Sequence, residues 1–110
     1  MKFLMLVCTT GRVDADPVEL DPTDWVAETS RRGVRLQGER LDDQVVVVRV
    51  RESGRLVTDG PFVETAEHIG GFDIIDCDDV EAAVEIAAAH PMAPFGHLVL
   101  RPFFGGGVGE

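Results

Sequence analysis

Asp59, Glu64, Thr65 and His68 fall within ten residues of one another in the stretch DGPFVETAEHIGGF (59–72), between two apolar, strand-like runs. An imidazole beside a carboxylate is a common device for moving protons near neutral pH. The carboxylate holds one tautomer and raises the ring's basicity, so His68 with Asp59 would make a general base. The same segment has a purely structural reading. Asp59 can accept hydrogen bonds from N–H groups just downstream, Gly60 can take backbone angles closed to other residues, Pro61 fixes the exit direction and Phe62 plugs the core. Thr65 likewise fits as the cap of a short helix with His68 in its first turn. Either way the segment is a loop at a strand end, a place where chemistry is often housed on a rigid sheet.

Cations supply the second candidate chemistry. Arg49 and Arg51 alternate with valines in QVVVVRVR (44–51), and Arg101 shares a parity with His97, Val99 and Phe103 in HLVLRPFF (97–104). On a common cleft wall these arginines would receive an anionic small molecule; otherwise they pair with surface carboxylates. The candidate ligand-binding set is therefore Gly60, Pro61, Phe62, Glu64, Thr65, Arg49 and Arg101, with Asp59 and His68 as the catalytic candidates. His90, just ahead of Pro91, fits a residue that meets a helix's last carbonyls. The cysteines and histidines show no CxxC, HxH or HExxH spacing, so no metal is expected. No cofactor is expected either: the GGG at 105–107 opens no helix, and Gly70-Gly71 precedes a strand rather than a phosphate-binding turn.

The elements that must position these groups follow from pattern. Residues 2–8 are apolar at both parities and read as a strand covered on both faces. An acidic, proline-containing loop leads to a helix with Asp21 at its cap, Pro22 at its first position and Gly33 past its end. VRLQGERL (34–41) and QVVVVRVR (44–51), joined by Asp42 and Asp43, read as a hairpin. ESG turns the chain into a short strand, RLVTD, and GFDIIDC (71–77) is another strand. DDVEAAVEIAAAHP is the clearest helix, with Asp78 and Glu81 as a capping box and Val80, Ala83, Val84 and Ala87 as the buried stripe. A last strand and a flexible Gly-rich tail (105–110) complete a single domain over 1–104.

This order predicts an α+β fold, a ferredoxin-like antiparallel sheet with two helices on one face. Such a two-layer sandwich leaves the other sheet face bare, and Leu4, Leu6, Val45, Val47 and Val99, or their opposite-parity neighbours, are assigned to it. A second copy is expected to cover that face, giving a homodimer with a cleft where two sheets meet.

Composition narrows the partners. The 110 residues carry 20 Asp and Glu against 10 Lys and Arg, a formal charge of −10 at pH 7, which repels phosphate backbones and anionic membranes. No direct nucleic-acid or membrane contact is expected. The apolar part of MKFLMLVC is shorter than a signal peptide's, and Val7 is unsuited to lipid attachment at Cys8. Cys8 and Cys77 read as reduced core thiols, and the chain as cytoplasmic.

The residues LVTDGPFVETAEHIGGFDIIDCDD, with AAAHP and LRPF downstream, resemble the YCII-related (YciI-like) superfamily, in its DGPF-domain branch. The resemblance runs over nearly the whole chain and is strongest from Leu56 to Asp79. It implies a dimeric α+β barrel with a small-molecule pocket lined by the DGPF segment. Some relatives are lyase-type enzymes working through a His and Asp pair, which implies acid–base chemistry. Their histidine lies on or near the first helix, where this chain has TDWVAETSRR. Many relatives are encoded beside extracytoplasmic-function sigma factors, which implies as the alternative a non-enzymatic accessory or regulatory module.

Overall fold

The structure, a computed structural model, describes residues 1–10, 13–61 and 68–107, with the backbone alone at 58–61 and at 106 and 107. Strand β1 (Lys2–Thr9) is followed by a one-turn helix α1 (Pro17–Leu20) and by α2 (Thr23–Arg31). Then come β2 (Arg35–Arg40), β3 (Gln44–Arg51), β4 (Gly54–Pro61), β5 (His68–Asp76), α3 (Val80–Ala88) and β6 (His97–Pro102). Four strands form an antiparallel sheet in the order β2-β5-β1-β6, while β3 and β4 pair only with each other. Without β3 and β4 the order is that of a ferredoxin-like α+β fold, so the hairpin is an insertion between its second and third strands.

The core is one layer between this sheet and the two longer helices. Phe3 and Met5 on β1 and Ile75 on β5 are at most 1 % exposed, and they pack with Trp25 of α2 and with Ala83, Ile86 and Ala87 of α3. Strand alternation then turns Leu4, Leu6, Phe72, Ile74 and Val99 to the side away from the helices, where each stays half-buried. Of the two parities the sequence left open, Leu4, Leu6 and Val99 take the bare face. Val45 and Val47 do not; they lie on the inserted ribbon.

Three local expectations need correction. First, β2 and β3 are not a hairpin: β2 leaves its neighbour at Asp42-Asp43 and pairs with β5, Gly38 opposite Asp73, and the hairpin is β3–β4, turning at Gly54 with φ +121°. Second, α3 is capped by Asp79, not Asp78. Its carboxylate accepts a 2.8 Å bond from the Ala82 N–H, and the buried stripe is Ala83, Ile86 and Ala87, leaving Val80 and Val84 about half exposed at 50 and 52 %. Third, Pro22 rather than Asp21 is the cap of α2, although the Asp21 carboxylate accepts from both the N–H and the hydroxyl of Thr23. The loop ahead of it contains α1.

Gly33 ends α2 as expected. With φ +72° it lets its own N–H reach the Ser30 carbonyl and the Val34 N–H reach that of Thr29, a Schellman closure that L side chains resist. Cys8 and Cys77 are thiols, the first buried and the second half-buried. Phe104–Gly107 makes one 3-10 turn, and 108–110, the rest of the expected tail, lie outside the described residues.

Candidate functional site

Two strand irregularities build the site. On β2 the register against β5 jumps between Arg35, opposite Ile75, and Gln37, opposite Ile74, so Leu36 is an extra residue. On β5 the register against β1 jumps between Gly71, opposite Val7, and Ile69, opposite Cys8, so Gly70 is extra. Each bulge reverses the alternation beyond it. Strict alternation would have sent Arg35 and His68 to the bare sheet face. The bulges turn both to the helix side, Arg35 beside Ile75 and His68 beside Thr9.

On that side lies a cavity of about 810 Å³, walled by α1, α2 and the ends of β1, β2 and β5. Its apolar lining includes Val7, Leu20, Trp25, Val26, Leu41 and Met92. Its polar lining includes Arg35, Arg40, Asp73, Asp43, Asp21, Glu39, His68 and His90. Arg35 Nε donates to Asp73 Oδ1 at 2.7 Å, with the two side chains only 18 and 8 % exposed. Gly38 makes room for this pair, since a Cβ there would overlap Asp73 Oδ1 and crowd the Arg35 guanidinium. Burial pushes the Asp73 carboxyl above the usual carboxylate range, a rise that the Arg35 hydrogen bond and charge only partly offset.

At the mouth, His68 Nε2 lies 3.3 Å from Asp43 Oδ1, both groups well exposed. The Leu41 N–H bonds the Gly70 carbonyl at 2.8 Å, which holds the end of β2 against the start of β5 and brings Asp43 to His68. The carboxylate is an ion-pair partner for the ring whenever the ring is protonated.

His90 forms part of the opposite wall. Its Nδ1 accepts from the Met92 N–H at 3.0 Å, and its ring meets Trp25 edge-on, centroids 4.8 Å apart. The ring therefore serves its own loop and not the helix's last carbonyls. The neutral ring carries its proton on Nε2. Burial pushes its pKa below the ordinary 6.5. The unfolded chain thus takes up a proton that the fold refuses, so stability is lost as pH falls through 6.5 toward the folded value. Wild type is expected to weaken between pH 7.5 and 5.5, by at most about 1.4 kcal/mol per pH unit from this group. In urea titrations at each pH, His90→Asn should show a shallower decline; parallel curves would refute the assignment.

The candidates named from sequence scatter. Arg49 stands exposed on β3 opposite Leu56, and Arg101 stands exposed on β6 opposite Leu4, neither lining the cavity. Arg51 is at the ribbon's turn, and His97 is half-buried opposite Cys8. Asp59, Gly60 and Pro61 are described by backbone alone, ending β4 opposite Val46, Val45 and Gln44. Phe62, Glu64 and Thr65 lie outside the described residues. His68 is at the cavity, with Asp43 as its neighbouring carboxylate. Sequence reasoning missed Arg35, Asp73 and Asp43; glycines inside strands, at 38 and 70–71, were the available sign of bulges and close approach.

A family model for the YCII-related domain matches residues 14–104. The chain belongs to the YCII-related family. The match takes in both longer helices and every strand from β2 to β6, hence all the cavity's polar groups named above. No curated protein matches this YCII-related chain. No helix among its described residues is long and apolar enough to cross a membrane.

Proposed function

We propose that this YCII-related domain binds a small organic anion with an apolar body in the Arg35–Asp73 cavity and acts on it by acid–base chemistry of the elimination type. The observation that carries the reading is the largely buried Arg35–Asp73 pair lining a cavity of about 810 Å³ with an apolar wall from Val7, Leu20, Trp25, Val26 and Met92. An enclosed guanidinium is a strong receiver of a carboxylate, and apolar walls favour the rest of such a molecule. His68 at the mouth, with Asp43 beside it, is the base that removes a proton next to the bound carboxylate. Asp73, its carboxyl raised by burial, is the acid beside the same guanidinium that gives a proton to the group expelled as the double bond forms. Asp59, which opens the DGPF segment, stays a second candidate carboxylate. The working form is a cytoplasmic homodimer in which a second copy covers the bare sheet face.

A thermal-shift screen of aromatic and aliphatic carboxylates, each paired with its neutral amide, tests the reading. A ligand at a hundredfold excess over its Kd should stabilise the fold by about 2.7 kcal/mol, raising Tm by roughly 10 °C or more. The amides should give much smaller shifts. Equal shifts for acids and amides, or none for any acid, would refute an Arg35-centred site.

The rival reading is a non-enzymatic accessory module acting on a sigma factor or a neighbouring enzyme. Large exposed apolar side chains on the ribbon favour it, since a partner protein would cover them. In that case no carboxylate would shift Tm, and ribbon variants would abolish complex formation with the sigma factor.

A further inference from the structure

Two largely buried side chains of the cavity wall hold donors with no acceptor among the described residues. Arg35 gives its Nε to Asp73, and its two amino groups make no further bond. The second is His90, whose side chain is 7 % exposed. Its Nδ1 accepts from the Met92 N–H at 3.0 Å, so the neutral ring carries its proton on Nε2. That Nε2–H meets no protein acceptor among the described residues. It is not sealed off either, because no fully buried side-chain nitrogen or oxygen among the described residues lacks a partner. The space that the ring borders is the cavity of about 810 Å³; the smaller hollow between α2 and α3 takes in Ala89 and Pro91 but not His90.

The bond to Met92 does not by itself call for a histidine. An asparagine or aspartate accepts from an N–H two residues on equally well, and an apolar residue would complete the wall without a lone donor. What the imidazole adds is the Nε2–H. Its position is fixed by a loop whose backbone is tied throughout: the His90 N–H bonds Ala87, the Ala93 N–H bonds His90, and the Met92 carbonyl accepts from Phe95 and Gly96. The edge of Trp25, with ring centroids 4.8 Å apart, holds the ring's orientation. A donor held this firmly is preorganised for an acceptor that enters the cavity. Burial also keeps the ring uncharged at neutral pH, so it offers one hydrogen bond and no charge. Such a group suits a carbonyl oxygen better than a second anion, whose desolvation it would not offset.

We infer that His90 Nε2–H is the cavity's second recognition group and takes the carbonyl oxygen of an organic acid whose carboxylate is held by Arg35, which makes the ligand an oxo acid. This rests on the Arg35-centred site proposed above and narrows the class of molecule it takes. Arg35 stands on β2 and His90 beyond the end of α3, on the opposite wall. The ligand's apolar body therefore separates its carboxylate from its carbonyl.

The test is calorimetric titration of the full chain with heptanoate, with its ketone derivatives in which the carbonyl is moved along the chain, and with heptanedioate. At least one oxo acid should bind about tenfold more tightly than heptanoate, and more tightly than heptanedioate. In His90→Asn, whose shorter side chain still offers the Met92 N–H an acceptor, heptanoate should bind as before and the oxo preference should fall to within about twofold. The wild-type protein gives a readout free of any folding defect. In its histidine NMR spectrum the His90 Nε2 proton should move downfield with the preferred oxo acid and not with heptanoate. Acids that bind without an oxo preference, a preference that His90→Asn keeps, an Nε2 proton that the oxo acid leaves in place, or tightest binding by heptanedioate would each overturn the His90 assignment and leave the Arg35 site standing. Binding by none of the acids, or equal binding by their amides, overturns both.

Discussion

Replacing Arg35 with Met is expected to cost about 3–5 kcal/mol of folding stability at neutral pH. The guanidinium is 18 % exposed and its partner carboxylate 8 %, so removing the cation leaves a largely buried Asp73 without the 2.7 Å bond that offsets its charge. The pH dependence distinguishes this cause from lost packing. Burial already raises the Asp73 carboxyl, and without Arg35 nothing opposes the rise. The folded variant then holds a proton that the unfolded chain releases, so its stability grows as pH falls through the folded pKa, until the unfolded chain is protonated too. The deficit of Arg35→Met against wild type should therefore shrink on moving from pH 7.5 to pH 5, as read from urea titrations. A constant deficit would mean that the arginine's stem, not its charge, was the loss. Arg35→Met combined with Asp73→Leu should regain most of the stability, since an apolar pair of similar volume often equals a buried ion pair. The same double variant should lose the carboxylate-induced Tm shift entirely. Stability without ligand response is the signature of a pair retained for binding.

The second large effect is expected at Trp25, which joins three parts of the molecule. Its ring is 7 % exposed in the core, it meets His90 edge-on, and its Nε1 donates to the Ile86 carbonyl at 3.0 Å. That carbonyl lies in the last turn of α3. Its ordinary helical partner would be the His90 N–H, which bonds Ala87 instead at 3.0 Å. The indole thus satisfies a carbonyl that the helix leaves without an internal partner. Trp25→Ala should cost about 3–5 kcal/mol through the cavity it opens, and Trp25→Phe about 1–3 kcal/mol through the carbonyl it strands. Thermal or urea unfolding of both, beside Val84→Ala as a surface control within about 0.5 kcal/mol of wild type, checks the ranking. If Trp25→Phe matched wild type, the indole bond would have no role in fastening α3.

The plan of the fold was legible because local pattern and layer logic agree: a strand apolar at both parities, a helix closed by Gly33, a run of alanines and valines bounded by an aspartate and Pro91. Pairing was less legible. β2 read as one arm of a hairpin because Asp42-Asp43 is a credible turn, yet its hydrogen bonds go to a strand some thirty residues on, and no local signal reports that distance. The site was least legible of all. Alternation assigns Arg35 and His68 to the bare face, and only the extra residues Leu36 and Gly70 reverse that, each a register change set by the partner strand. His68 was found for its chemistry and Arg35 was not, because a lone arginine in a strand has no motif to mark it.

The central place of β1 sets how the newborn chain must mature. Its two neighbours are β5 and β6, so Met5 has Asp73 on one side and Leu100 on the other. At ordinary translation speeds of about 5–20 residues per second, the flank that meets Leu100 waits roughly 5–20 s after Met5 is synthesised. During that interval Phe3, Met5 and Cys8, all sealed in the finished fold, are sticky and unsheltered. The nascent polypeptide keeps that apolar flank open until its final strand emerges.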